Sequence, residues 1–268
     1  MQLYIQTDQQ IHWLSQVIAR INRAYVPAKS DDSHTNLYFD PVAGRLAGRW
    51  INKDEQNLMF SLNLKTKQFE WQDNYLEVLH SFGFFEKTML QIEQDSAIYP
   101  ESIGMKTEKI FHELHFTIPD YHIESLSSND FSGDGVRDWM NYRQLANQAC
   151  LYFLGFLQRD AEIRIWPHHF DTGIYLQLTE KFGFGFGLAM KDTLVNRPYL
   201  YLAAYSSGKQ IQFNHLTDLG KGYWIIGENW KGAVLPTDVL NERTSCKNTE
   251  VIFQFIREGC QMYIDQNL

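Results

Sequence analysis

Two rhythms of hydrophobic and polar residues run along this chain. Ile11, Leu14, Ile18, Ile21 and Tyr25 recur every three or four positions, which predicts a helix. Thr7 and Gln10 have the spacing of a capping box ahead of it, and Pro27 ends it. Short strand-like runs follow at 36–39, 45–51, 58–63 and 68–71, separated by turn-forming residues at Asp40-Pro41 and 52–56. Residues 75–82 read as helical, with a further helical stretch at 87–94, and the alternating 112–117 reads as a strand. Polar residues then dominate 125–135. Trp139, Tyr142, Leu145, Ala149, Tyr152 and Phe156 form the stripe of a second long helix. Strand-like runs return at 162–166, 172–178, 182–190, 199–205, 210–213 and 223–226. A helix near 248–264 closes the chain, with Ile252, Phe255, Gly259 and Tyr263 or Met262 on its stripe.

The two halves resemble each other. The helix over 11–25 corresponds to 144–158, and Thr35-Asn36-Leu37-Tyr38-Phe39 lies over Thr172-Gly173-Ile174-Tyr175-Leu176. Gly44 and Gly48 fall within a segment that matches Gly183, Gly185 and Gly187, residues 58–63 match 199–204, and 67–71 match 209–213. The offset grows from 137 to 142, as loop insertions in a second copy would make it grow. Short turns between neighbouring strands make each sheet antiparallel. The expected fold is therefore α+β, with two tandem pseudo-repeated modules, each an antiparallel sheet with packed helices. The first spans 1–124, a linker 125–136, and the second 137–268.

Within the second sheet, Phe182 to Gly187 read Phe-Gly-Phe-Gly-Phe-Gly, which puts three rings on one strand face and three bare backbones on the other. Glycine weakens a strand unless something approaches the backbone closely. Two readings follow: a helix lies flat on the bare face, or the glycines floor a ligand cavity. A dinucleotide-binding loop is excluded, because the spacing is G-x-G-x-G and no β-α-β unit surrounds it.

Composition narrows the function classes. With 24 Lys+Arg against 32 Asp+Glu the net charge is −8, which argues against nucleic-acid binding. No apolar run approaches the ~18–20 residues that span a bilayer, so no membrane partner is expected. The N-terminal residues show no signal-peptide pattern, and three cysteines without C-x-x-C spacing suit a reducing, cytoplasmic setting. Aromatic residues make up 15% of the chain, enough to line a pocket as well as a core.

The densest polar chemistry is Trp166-Pro167-His168-His169-Phe170-Asp171, between two strands. His169 and Asp171 can share a strand face, and His168 joins them if Pro167 breaks the strand. Two imidazoles and a carboxylate suit zinc or non-haem iron. Trp166, His168, His169 and Asp171 would equally line a metal-free ligand site, and Asp31, Asp32 and His34 occupy the matching loop of the first half. The remaining motifs are weak. His112-Glu113-Leu114-His115 is one residue short of a zincin helix. Asp130, Ser132 and Asp134 begin a calcium loop whose twelfth position is Asn141 instead of a carboxylate. Glu228-Asn229-Trp230 reads as a surface turn.

The helix ending at Pro27, the Leu37-Tyr38-Phe39 strand, the Phe116-x-Ile118-Pro119-Asp120 passage, Phe170-Asp171 at a strand head and Val234-Leu235-Pro236 together resemble a bacterial domain-of-unknown-function family. That resemblance implies one full-length unit in a bacterial cytoplasm and no known activity. Three functions are compatible with the residues. They are a small-molecule-binding protein, a metal-dependent enzyme using His168, His169 and Asp171 to activate water, and an interaction protein that forms a homodimer through exposed aromatic residues.

Overall fold

The computed structural model describes residues 2–240 and 245–267. The fold is α+β, with two antiparallel sheets. The chain divides into two compact units, Met1–Gln144 with Arg164–Phe170, and Leu145–Ile163 with Asp171–Leu268. This division differs from the 1–124 and 137–268 expected from composition. The expected linker instead carries buried anchors, Leu126 and Phe131, and its last residues begin a helix.

The first unit opens on α1 (Gln2–Tyr25), followed by strands β1 (Tyr38–Asp40), β2 (Arg45–Ala47), β3 (Ile51–Lys53), β4 (Gln56–Asn63), β5 (Gln68–Gln72) and β6 (Val78–Gly83). Then come α2 (Met89–Ser102), the first turns of α3 (Gly133–Leu157) and β7 (Arg164–Ile165). Its sheet runs β1-β2-β4-β5-β6, with β3 also pairing β4. Helix α1 begins well before the expected start, so Thr7 lies inside it, buried, and caps nothing. The capping box stands instead at Thr88 and Gln91, ahead of α2. Residues 78–83 form an edge strand and not a helix: pairing with β5 satisfies their backbone, and Phe82 stacks on Phe69 at 5.5 Å. Phe60, Phe69 and Trp71 are fully buried at the centre, and Trp71 Nε1 donates to the Ser96 carbonyl of α2 at 3.1 Å. Residues 112–117 form no strand.

The close approach of α1 to its sheet depends on Gly48. A Cβ there would stand 2.5 Å from Asn22 Oδ1 and 2.9 Å from Ile18 Cγ2. Asn22 is buried and satisfied, accepting from the Arg49 amide at 2.9 Å and donating to the carbonyls of Thr35 (3.3 Å) and Asn36 (3.1 Å).

The second unit takes α3 from Leu145 onward, then β8 (Thr172–Thr179), β9 (Phe182–Ala189), β10 (Tyr199–Ser206), β11 (Tyr223–Ile226), β12 (Lys231–Pro236) and α4 (Ser245–Asn267). Within it the sheet order is β11-β12-β10-β9-β8. Residues 210–213, expected as a strand, are irregular. Phe153 of α3 stacks on Phe186 at 4.7 Å, and Tyr263 of α4 meets Phe184 edge-on at 5.8 Å. The phenylalanine face of β9 is therefore the one that takes the helices. Gly259 brings α4 close to β10, since a Cβ there would lie 2.6 Å from Leu202 Cδ2.

The two sheets have one feature in common: β1-β2-β4 and β8-β9-β10 are both antiparallel three-strand runs in chain order. Beyond them the sheets part. β5 and β6 follow outward in chain order, whereas β12 takes the place beside β10 and β11 forms the edge. Among the described residues no helix is long and apolar enough to cross a membrane. Cys150 and Cys260 are free and buried.

Candidate functional site

The segment singled out by sequence is a tight turn in the first unit. The Phe170 amide donates to the Trp166 carbonyl at 2.6 Å, and Phe170 adopts a left-handed backbone, φ 56°. That strained conformation persists because the ring is held from several sides. His12 stacks on it at 4.6 Å, the Arg143 guanidinium lies 4.6 Å from its centroid, and Trp139 is 6.0 Å away. Beneath the turn lies a buried polar network. Asp8 accepts from Trp139 Nε1 (2.6 Å) and Arg143 Nη2 (2.9 Å). His12 Nε2 bonds the Pro167 carbonyl at 2.8 Å, which only accepts, so His12 is the Nε2–H tautomer and Nδ1 accepts from Tyr121 Oη at 2.7 Å. Burial pushes the His12 pKa down to about 4, and burial outweighs Arg143 and Trp139 in raising that of Asp8. Nothing in the sequence marks this network, because Asp8 and His12 sit within an ordinary helical pattern.

At the surface of the turn, His168 is half-buried between Trp166 (5.9 Å, edge-on) and Phe116 (5.5 Å), and His169 is exposed. The Arg164 guanidinium lies 5.9 Å from the Trp166 centroid, and its Nη1 pairs with Asp31 at 3.5 Å. His115 pairs with Asp32 at 3.2 Å, and His34 accepts from the Lys29 amide at 3.3 Å. Asp31 of this loop thus reaches Arg164, just ahead of the Trp166–His168 turn, while His34 bonds within its own loop.

The structure does not assemble the metal reading. Among the described residues no three His, Cys, Asp or Glu side chains are placed to hold a metal ion. Helix α3 begins at Gly133, so Asp134 and Gly135 are helical and the Asp130–Asp134 segment cannot wrap an ion. In the second unit, Asp171 Oδ2 accepts from Tyr201 Oη at 2.6 Å, while its Oδ1 is buried without a hydrogen-bond partner among the described residues. Burial and the Asp171 carboxylate hold the Tyr201 phenol well above its usual range.

That hydrogen bond belongs to a larger pattern on the glycine face of β9. A Cβ at Gly173 would stand 2.5 Å from Tyr201 Oη, one at Gly185 3.1 Å from the Tyr205 ring, and one at Gly232 2.6 Å from Trp230. Tyrosine and tryptophan rings are thus bedded on bare backbone across β8, β9, β10 and β12, on the face opposite to the helices. Tyr205 and Tyr175 are half-exposed, with ring centroids 5.9 Å apart. Beside them an open groove of about 690 Å³ runs along Tyr175, Gln177, Tyr205, Asn229, Trp230 and Lys231. Of this site the sequence showed the glycine alternation and the turn at Glu228-Asn229-Trp230. It did not show the aromatic partners, which come from strands that become neighbours only through sheet pairing.

No protein-family model, curated protein or solved structure matches the chain. The resemblance to a bacterial family of unknown function therefore rests on its short motifs alone.

Proposed function

We propose that this is a small-molecule-binding protein whose site is the aromatic face of the second unit's sheet. The observation behind this reading is that aromatic side chains approach bare glycine backbone on one sheet face, Tyr175 and Tyr205 half-exposed, beside a groove of small-molecule size. Rings held this way lose little freedom on binding, and tyrosine offers an apolar face with a polar tip. The site takes the place of the Trp166, His168, His169 and Asp171 site expected from sequence, retaining Asp171 as the anchor of Tyr201. A thermal-shift screen of metabolites at ~1 mM tests it. A compound that raises the melting temperature of the wild type and not of Tyr205→Ala supports the reading, by linkage of binding to folding. A screen in which every shift survives that substitution refutes it.

A second reading, self-association, is favoured by the edge of the first unit. Leu76, Val78 and Leu79 are each 40–47% exposed at the edge strand β6, which among the described residues pairs with β5 alone. Light scattering of the wild type and of Leu79→Lys tests this: a dimer that the substitution dissociates supports it, and a monomeric wild type excludes it.

A further inference from the structure

The charges around the groove run against those of the whole protein. The chain carries 32 acidic and 24 basic residues. Yet the groove is lined by Lys181 and Lys231, and Lys209 lines an adjoining hollow that shares Glu180, Lys181 and Ser206 with it. Glu180 is the one acidic residue lining either space. Each lysine has a fixed neighbour. Lys231 Nζ lies 5.7 Å from the Phe213 centroid, and Lys209 Nζ donates to the Gln266 carbonyl at 2.7 Å, which leaves it further protons to donate. Lys181 sits in the turn between β8 and β9, where its carbonyl accepts from the Ser207 amide at 2.9 Å and its side chain passes over Gly208. Two independent features share this groove: aromatic side chains (Tyr175, Tyr205, Trp230) and lysines (Lys181, Lys231).

We infer, building on the ligand-binding reading above, that the groove takes a ring-bearing organic phosphate, with the ring on Tyr205 and Trp230 and the phosphate toward Lys181 and Lys231. An ammonium is a compact, mobile point charge, well suited to a phosphate. The aromatic platform accepts any flat or cyclic body, so a nucleoside phosphate and a sugar phosphate share the required chemistry. In a chain of net charge −8 a cationic rim also raises the local concentration of an anionic ligand.

The test is calorimetric titration of the full chain in low salt with AMP, UMP, ribose 5-phosphate, adenosine and inorganic phosphate. At least one of the three organic phosphates should bind about tenfold or more tighter than both adenosine and inorganic phosphate. That binding should weaken at ~0.3 M salt as the charges are screened. The double variant Lys181→Ala/Lys231→Ala should weaken it by about tenfold or more, and so should Tyr205→Ala, with melting temperatures close to wild type. A preference for the nucleotides assigns the ring to a base, and a preference for ribose 5-phosphate assigns it to a sugar; both support the inference. Adenosine binding as tightly as AMP, or phosphate binding indifferent to the lysine variant, overturns it. Binding of an uncharged metabolite through Tyr205, with no organic phosphate bound, overturns the phosphate assignment and leaves the ligand-binding reading standing. Absence of any Tyr205-dependent ligand overturns both.

Discussion

Gly48 in the first unit and Gly185 in the second are both strand-associated glycines with something packed closely on them, and what covers them differs. Over Gly48 lies helix α1, with the Asn22 amide and the Ile18 methyl in place and the Phe60 carbonyl also close. The nearest atoms over Gly185 are those of the outer end of the Tyr205 ring, half in solvent. In the first case the bare backbone takes a helix; in the second it beds one half-exposed ring at the edge of a groove. Glycine in a strand thus reports a close approach without saying what approaches. The surroundings differ in the same sense. The helix over Gly48 carries buried Asp8, His12 and Asn22, each hydrogen-bonded to groups outside the helix, so its position is over-determined. The face over Gly185 carries exposed rings and lysines.

The strongest way to break the comparison is to unsettle the helix cover of the first unit. Asp8→Ala leaves the Arg143 guanidinium buried without its carboxylate and should cost about 3–5 kcal/mol. Urea denaturation followed at the buried Trp139 measures it. A loss below about 1 kcal/mol would show that the network does not hold α1.

Acid should act on the same unit with a somewhat smaller effect. The His12 pKa lies at about 4 in the folded protein against an ordinary 6.5, so the unfolded chain binds the proton more readily. Its contribution to stability is complete above about pH 6.5 and is lost progressively toward pH 4, on the order of 3 kcal/mol. Asp8, whose pKa is raised, works in the opposite sense, which is why the difference between wild type and His12→Gln isolates the effect. Denaturation at pH 7 and pH 4.5 should show a steeper loss for the wild type. Parallel losses would remove His12 as the titrating group.

The paired alanine substitutions sharpen the comparison directly. Gly48→Ala forces a methyl group onto Asn22, Ile18 and the Phe60 carbonyl and should cost about 1–3 kcal/mol. Gly185→Ala meets only a side chain that can swing away, and alanine is entropically cheaper than glycine in a strand. Its stability should change by less than about 0.5 kcal/mol, while displacement of Tyr205 weakens ligand binding. Equal destabilisation by the two substitutions would mean that the Tyr205 ring is as fixed as the helix.

Much of the architecture was readable from side-chain rhythm. The stripes Trp139–Phe156 and Ile252–Tyr263 became α3 and α4, and the runs at 58–63, 172–178, 182–190 and 199–205 became the strands β4, β8, β9 and β10. These segments bury one face against a neighbour, and burial imposes the period on the sequence. The errors fall where that link breaks. In 75–82 the apolar residues fit both periods, and edge pairing with β5 decided for strand. Residues 231–236 became β12, a pairing specified by contacts with β10 and β11 and not by local pattern.

The candidate site was legible only in fragments. Asp171 and the glycines stood out, while Tyr175, Tyr205 and Trp230 looked like ordinary strand and turn residues. The Trp166–His169 turn drew attention through its density of polar groups, most of which pair locally with their neighbours. By itself the sequence determined the class of fold, most of the helices and the bare face of β9, because these depend on periodicity and on the absence of a Cβ. Only the tertiary structure decided that a helix covers Gly48 while a ring covers Gly185, and that Lys181 and Lys231, distant in sequence, line one groove. Those outcomes depend on strand order and loop path, which bring together residues that no local pattern relates.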